Sequence, residues 1–311
     1  MSDSAIAERL PAERGSTFER VKGWWANPWG KPRFLAIFVW IYIAWSLIPV
    51  LIAVQFGFND GRSRTAWQGF SLRWYTDDPD LSLLHDPTLR DALFQSLRLA
   101  GLTMLIATPI GIALAIGLAR WRGRGARPAN LLMLFPLITP EIVMGVALFL
   151  VFVHLFDFVA LGTPAQALGH VTFTISYVVI VVRGRLFSIG REYEEAAMDL
   201  GASHWQAVRM VLFPLLRPAI LASLMIAFAI SIDDFVISYF LQAGQKTTPI
   251  PVLIYSAARL APTPALNALA TILLLLSMVA IFGTIWVMRV FRKREGGEPG
   301  TAVEDFARLD L

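Results

Sequence analysis

Six mostly apolar stretches run through this chain, at about residues 34–55, 94–118, 131–153, 165–182, 216–241 and 265–288. A helix needs roughly 20 such residues to cross the hydrocarbon of a bilayer, where every backbone N–H and C=O must find its partner inside the segment. The expected fold is therefore an all-α membrane protein, a bundle of six transmembrane helices. Composition agrees, since 56% of the 311 residues are hydrophobic and 16% are charged, where soluble domains carry about a quarter charged. Pro109, Pro136 and Pro140 lie within the second and third stretches, where neighbouring groups in a bundle can re-satisfy the backbone that proline frees. His170, Thr172, Thr174 and Ser176 dilute the fourth.

Lysine and arginine set the expected orientation, because they accumulate in loops on the cytoplasmic side. Arg9, Arg14, Arg20, Lys22, Lys31 and Arg33 precede the first stretch, and Arg120, Arg122, Arg124 and Arg127 follow the second. Arg183, Arg185, Arg191, Arg209 and Arg217 fall between the fourth and fifth, and Arg289, Arg292, Lys293 and Arg294 after the sixth. The loop after the third stretch, HLFDFVALGTPA, has no lysine or arginine, and the loop after the fifth has only Lys246 and Arg259. Both termini are therefore expected in the cytoplasm, with tails at 1–33 and 291–311 around a membrane domain at 34–290. The opening residues are polar and mixed in charge, unlike a signal peptide, so the first stretch is expected to act as an uncleaved anchor. Trp24, Trp25 and Trp29 stand just before it, where amphipathic rings favour the interface.

Several chemistries are excluded. With no cysteine there are no disulfides or thiolate metal sites. His85, His154, His170 and His204 show no metal-ligand spacing. The string GQKT at 244–247 lacks the glycine-rich loop and the Gly-Lys-Ser/Thr ending of a phosphate cradle, so the chain is not expected to hydrolyse ATP itself. No nucleophile elbow supports hydrolase chemistry. Topology accounts for the arginine clusters, so no nucleic-acid partner is expected.

The segment REYEEAAMDLGASHWQAVRMVLFPLLRP (191–218) is too polar to span and too well patterned for a plain linker. EYEEAAMDL joins strong helix formers to early acids, which the helix dipole favours. Gly201 then ends that helix, and Ser203 with Gln206 three residues on reads as a capping box for a second one. Pro214 and Pro218 mark re-entry into the membrane.

This segment resembles the EAA loop of the type I ABC-importer permeases: Glu195-Ala196-Ala197, three residues, Gly201, nine residues, then an apolar Val211-Leu212-Phe213 ending in Pro214. The resemblance covers roughly residues 70–285 and extends to WQGFSLRWY (67–75), LFPLITPEIVMG (134–145), SIDDFVISYF (231–240) and NALATILLL (267–275), which are similar to the polyamine branch, the spermidine and putrescine permeases. Gln95-Ser96-Leu97 departs from that branch, which usually has Asn-Ser-Leu. The resemblance implies a six-helix permease bundle in the bacterial inner membrane, with residues 191–214 as a cytoplasmic coupling helix. It implies that Glu195, Ala196, Ala197, Asp199 and Gly201 engage a separate ATPase dimer, that ATP and Mg are bound there, and that this chain holds no cofactor. A second permease subunit and an extracytoplasmic binding protein complete the implied assembly, and the implied cargo is putrescine or spermidine. Ferric iron, thiamine or an aminophosphonate remain open as cargo, and an ion-gradient-driven secondary transporter is the alternative of another class.

Three acids lie inside apolar stretches: Glu141, Asp233 and Asp234. At a helix centre an aspartate costs roughly 2.5–3.5 kcal/mol to insert, so such residues point to function. In a continuous helix neighbours point about 100° apart. Asp234 then shares a small, polar stripe with Ser223, Ala227, Ser231 and Ser238, while Asp233 falls among Ile226, Ile230, Ile237 and Phe240. The expectation is that Asp234 faces the translocation cavity and that Asp233 supports it, paired with Arg98. Glu141 joins the pathway from the third stretch, and Tyr239 and Tyr255 offer cation–π contacts to a cationic solute.

Overall fold

A computed structural model describes residues 33–63, 66–121, 123–260 and 263–294. Most of the two expected tails, with Trp24, Trp25 and Trp29, lies outside the described residues. The described residues are almost wholly helical, with one isolated bridge between Asn59 and Phe70 and no strand. Two units divide at Leu51 and Ile52. The first carries the greater part of α1 (Arg33–Gly57), an apolar helix that contains Pro49 and exposes Trp40 and Trp45.

In the second unit α2 (Pro87–Arg120) starts earlier than hydropathy alone indicates. Asp86 caps it by accepting from Thr88 N, and Pro87 occupies the first turn, where its missing N–H removes no bond. A helix pair follows, α3 (Ala126–Ile138) and α4 (Glu141–His154), and then α5 (Thr163–Ile189), α6 (Glu192–Asp199) and α7 (His204–Ala207). A π-helical turn at Val208–Leu212 leads into α8 (Phe213–Asp233) and α9 (Val236–Leu241), followed by α10 (Ile250–Leu260) and α11 (Pro264–Arg294).

Among the described residues, five helical segments are long and apolar enough to cross a membrane, and the bent pair α3 and α4 makes up to a sixth. Here the expectation of one continuous helix at 131–153 is corrected. The two helices meet at 105°. Pro140 forces its predecessor Thr139 into an extended conformation, φ −71° and ψ 128°, which no α-helix accommodates. The expected continuous helix at 216–241 is corrected as well, because Asp234 leaves the helix at φ −65° and ψ 119°. The diluted fourth stretch is instead a 27-residue helix, longer than expected. Its polar His170, Thr174 and Ser176 are buried, turned inward rather than to lipid.

Packing centres on α2, α5, α8 and the π-helical turn before it, which bury Ile112, Val178, Val182, Leu186, Leu212 and Leu216 together. Gly111 permits the closest approach: a β-carbon there would lie 2.5 Å from Val178 Cγ1. Small residues at such crossings let helices approach where lipid supplies no hydrophobic drive between them. A second cluster joins Trp74 and Leu83 of the loop after α1 to Leu89, Ile250, Leu266 and Leu269. A third joins Met144 and Phe152 of α4 to Phe173, Ile237 and Leu241.

The loop from α1 to α2 is held by one buried carboxylate. Asp78 accepts from the backbone of Leu81 (2.9 Å) and Asp80 (3.1 Å) and pairs with Arg73 (2.8 Å). Burial alone would raise its pKa, but those backbone donors and the guanidinium outweigh it and hold the carboxyl below the ordinary 3.8. A depressed pKa contributes stability that is present above the unfolded value and lost as pH falls through the folded one. Thermal unfolding of wild type and Asp78→Asn, compared from about pH 6 to about pH 3, is expected to show a wild-type advantage that shrinks towards the acid end.

Candidate functional site

Two arrangements carry the polar chemistry of the second unit. The first is the connector between α5 and α8. The acids Glu192, Glu194 and Glu195 occupy the first turn of α6, where the helix dipole favours them. Gly201 then turns the chain at φ +89°, a left-handed conformation that disfavours a β-carbon, although nothing lies within 4 Å of where one would stand. Ser203 caps α7 through the expected capping box, with Gln206 returning to the Ser203 backbone at 2.8 Å. Glu195, Ala196, Asp199 and Gly201 are exposed, Ala197 is half-buried, and Leu200 stands 90% exposed at the apex.

Glu194 behaves differently from its neighbour Glu195. It turns inward to an ion pair with Arg120, at the last residue of α2, both side chains being largely buried. Arg191 donates to Ala119 O at 3.1 Å, so the start of α6 is tied twice to the end of α2. Arg185 donates to Leu215 O (3.3 Å), and Arg183 donates to Asn130 Oδ1 of α3. The arginines at this end of the bundle thus serve as ties as well as topological markers.

The second arrangement is a hydrogen-bonded network inside the bundle. His170 is only 2% exposed, with Nδ1 2.7 Å from Ser231 Oγ and Nε2 2.9 Å from Ser238 Oγ and 3.1 Å from Asp234 Oδ2. Ser231 reaches Thr103 of α2 at 3.1 Å. Gln166, one turn before His170, donates to Ser238 O and Thr247 O and accepts from Gln95 Nε2 at 2.8 Å. Ser96 Oγ accepts from Ile250 N. Asp234 Oδ2 also accepts from Ser238 N at 2.8 Å, which restarts the helix as α9 after the break. In a low-dielectric interior an unpaired carboxylate is costly, and this one has a ring nitrogen and a backbone donor.

These placements revise the expected pathway geometry. The stripe of Ser223, Ala227, Ser231 and Ser238 is buried, and Asp234, with a side chain 9% exposed, is turned into it rather than towards an open face. Asp233 is exposed at the end of α8. Among the described residues Asp233 has no ion pair, and the expected Arg98–Asp233 pair is absent, both side chains being exposed. Glu141 is the exposed first residue of α4, just past the bend. Tyr239 is 43% exposed, its ring 5.5 Å from Phe235 and 6.4 Å from Tyr255, and the Arg259 guanidinium lies 4.5 Å over Tyr255. Asp234 is thus brought together with His170, and Tyr239 with Tyr255, while no hydrogen bond or ion pair joins Asp233, Glu141 and Tyr239 among the described residues.

Residues 107–296 match the family described as the binding-protein-dependent transport system inner membrane component. The chain belongs to this family. It is 36% identical over 266 residues to the putrescine transport system permease protein PotI of Escherichia coli (strain K12), covering 83% of this chain and 89% of that one. To the spermidine/putrescine transport system permease protein PotC of the same strain it is 34% identical over 263 residues, 85% of this chain and 95% of that one. A solved bacterial ABC transporter involved in the import of the acidic polysaccharide alginate shares the fold at a TM-score of 0.62 and 17% identity, over 89% of this chain and 98% of that one. As a family member with the type I importer permease fold, the chain is an inner membrane transport component and not an enzyme.

Loss of one partner from the tie between α6 and α2 exceeds the cost of breaking an exposed pair. Glu194→Ala is expected to destabilise the protein by roughly 1–3 kcal/mol, read by thermal unfolding, and the exchange Arg120→Glu with Glu194→Arg to recover part of the loss.

Proposed function

We propose that this chain is the transmembrane permease subunit of an ATP-driven importer of small cationic solutes, polyamines of the putrescine and spermidine class. The observation that carries this reading is the pair of relatives, a putrescine and a spermidine/putrescine permease, each at least 34% identical across more than four-fifths of this chain. An exposed, unpaired Asp233 beside a break in α8 supports a cation as cargo, with Glu141 and the rings of Tyr239 and Tyr255 as further cation-attracting groups. Asp234 takes the structural share, fixing the break from which Asp233 projects.

In the assembly we propose, a second permease completes the path, an extracytoplasmic binding protein delivers the solute, and an ATPase dimer binds ATP and Mg. The exposed edge of the connector, Glu195, Ala196, Asp199 and Gly201 with Ala197 behind it, docks on an ATPase subunit. The tails at 1–33 and 291–311 and the connector at 191–214 then share the cytoplasmic side, as the arginine distribution favours. Closure of the ATPase dimer pushes α6, and the ties from Glu194 and Arg191 hand that displacement to α2. Through Thr103 and Gln95, α2 reaches the network that holds the α8–α9 break.

The reconstituted importer tests this by ATP-dependent uptake of labelled putrescine into vesicles. Ala196→Glu is expected to cut uptake at least tenfold while ATP hydrolysis continues, because a charge replaces a small docking side chain. Asp233→Asn is expected to lower uptake with normal amounts of assembled complex. A binding protein that retains ferric iron, thiamine or an aminophosphonate instead of a polyamine would overturn the cargo assignment.

A further inference from the structure

A cavity of about 630 Å³ lies against α2, lined by Leu105, Pro109 and Ala113, by Trp205 and Phe213 of the connector and by Leu224 of α8. Its walls are almost entirely apolar. Trp205 and Phe213 also line a neighbouring cavity of about 350 Å³ whose other walls are Arg209, Pro214 and Arg217. The two cavities adjoin at Trp205 and Phe213, so this groove sets an apolar run along a transmembrane helix beside a doubly basic end. Arg209 and Arg217 are exposed, and among the described residues neither makes an ion pair or hydrogen bond, unlike Arg120, Arg183, Arg185 and Arg191 at the same end of the bundle.

We propose that this groove binds an anionic phospholipid, its acyl chain along α2 and its phosphate between Arg209 and Arg217. The length fits: the lining from Met104 to Ile116 rises about 18 Å along the helix axis, and one leaflet of a roughly 30 Å hydrocarbon core is about 15 Å deep. The chemistry fits at both ends. Basic pockets beside transmembrane helices attract anionic headgroups, and Trp205, 69% exposed between the two cavities, stands where an indole favours the boundary between headgroup and chain. Seated there, the lipid touches α2, the π-helical turn and α8 at once, so its occupancy would stiffen the joint through which connector displacements enter the bundle.

Native mass spectrometry of the purified complex, titrated with phosphatidylglycerol or phosphatidylcholine, reads the binding directly. Wild type is expected to retain phosphatidylglycerol over phosphatidylcholine, and Arg209→Gln with Arg217→Gln to weaken phosphatidylglycerol retention by roughly 25-fold, at about fivefold per interfacial arginine. Ala113→Trp, which fills the apolar half and leaves both arginines in place, is expected to reduce retention of both lipids. Equal retention of the two lipids by wild type would overturn the proposal whether or not the variants assemble. So would a photoreactive side chain at position 105 that crosslinks to a protein subunit of the complex rather than to lipid.

Discussion

A carboxylate inside a membrane bundle must be met by donors, and how Asp234 is met shapes the structure around the α8–α9 break. Its acceptance from Ser238 N requires the chain to leave the helix at Asp234 and begin again at Val236. Its contact with His170 requires α5 to lie against that break, and the other ring nitrogen then reaches Ser231 and, through it, Thr103 of α2. Four segments are thereby fixed by groups with few alternative partners in hydrocarbon. Such networks specify geometry because a half-satisfied version is worse than none. Asp233 and Tyr239 project from either side of the same break, so the buried acid sets the position of the exposed one.

The connector end of the bundle depends on a different bond set. The connector has little buried surface of its own, and its place is set by arginines that bind carbonyls and one carboxylate on neighbouring helices. Because α2 runs from Arg120 at that end to Gln95 in the polar network, and packs against α5 without a side chain at Gly111, the two bond sets sit on one rod. Both bond sets therefore hold the same helix, one at each end of α2.

Much of this was legible in the residues. Apolar runs located the spans, and Ser203 with Gln206 and the glycine at 201 gave the connector its two helices and its turn, because those signals act within four or five residues. The departures have a common cause, which is that they depend on partners distant in sequence or on where a helix stops. Pro140 reads as a tolerated kink until the next helix is seen to leave at 105°. The two aspartates were placed by counting along a continuous helix, and the count loses meaning at ψ 119°. His170 has no metal-ligand spacing and in the sequence only dilutes an apolar stretch, although Gln166 and Thr174 one turn on either side mark a polar face that the serines of α8 and α9 complete. Gln95, noted only as a departure from asparagine, has the extra methylene with which its amide reaches Gln166 across the helix interface.

The π-helical turn at Val208–Leu212 has a consequence for phase. Trp205 and Phe213 are eight residues apart, and two turns of α-helix take about 7.2, so in a regular helix the second ring would overshoot the first by most of a residue. A π turn absorbs roughly one extra residue without advancing the spiral. It therefore returns Phe213 to the meridian of Trp205, and the two rings wall the same cavities. The same eight-residue spacing carried on regular α-helix would instead rotate Phe213 about 80° from Trp205 and part the two aromatic walls.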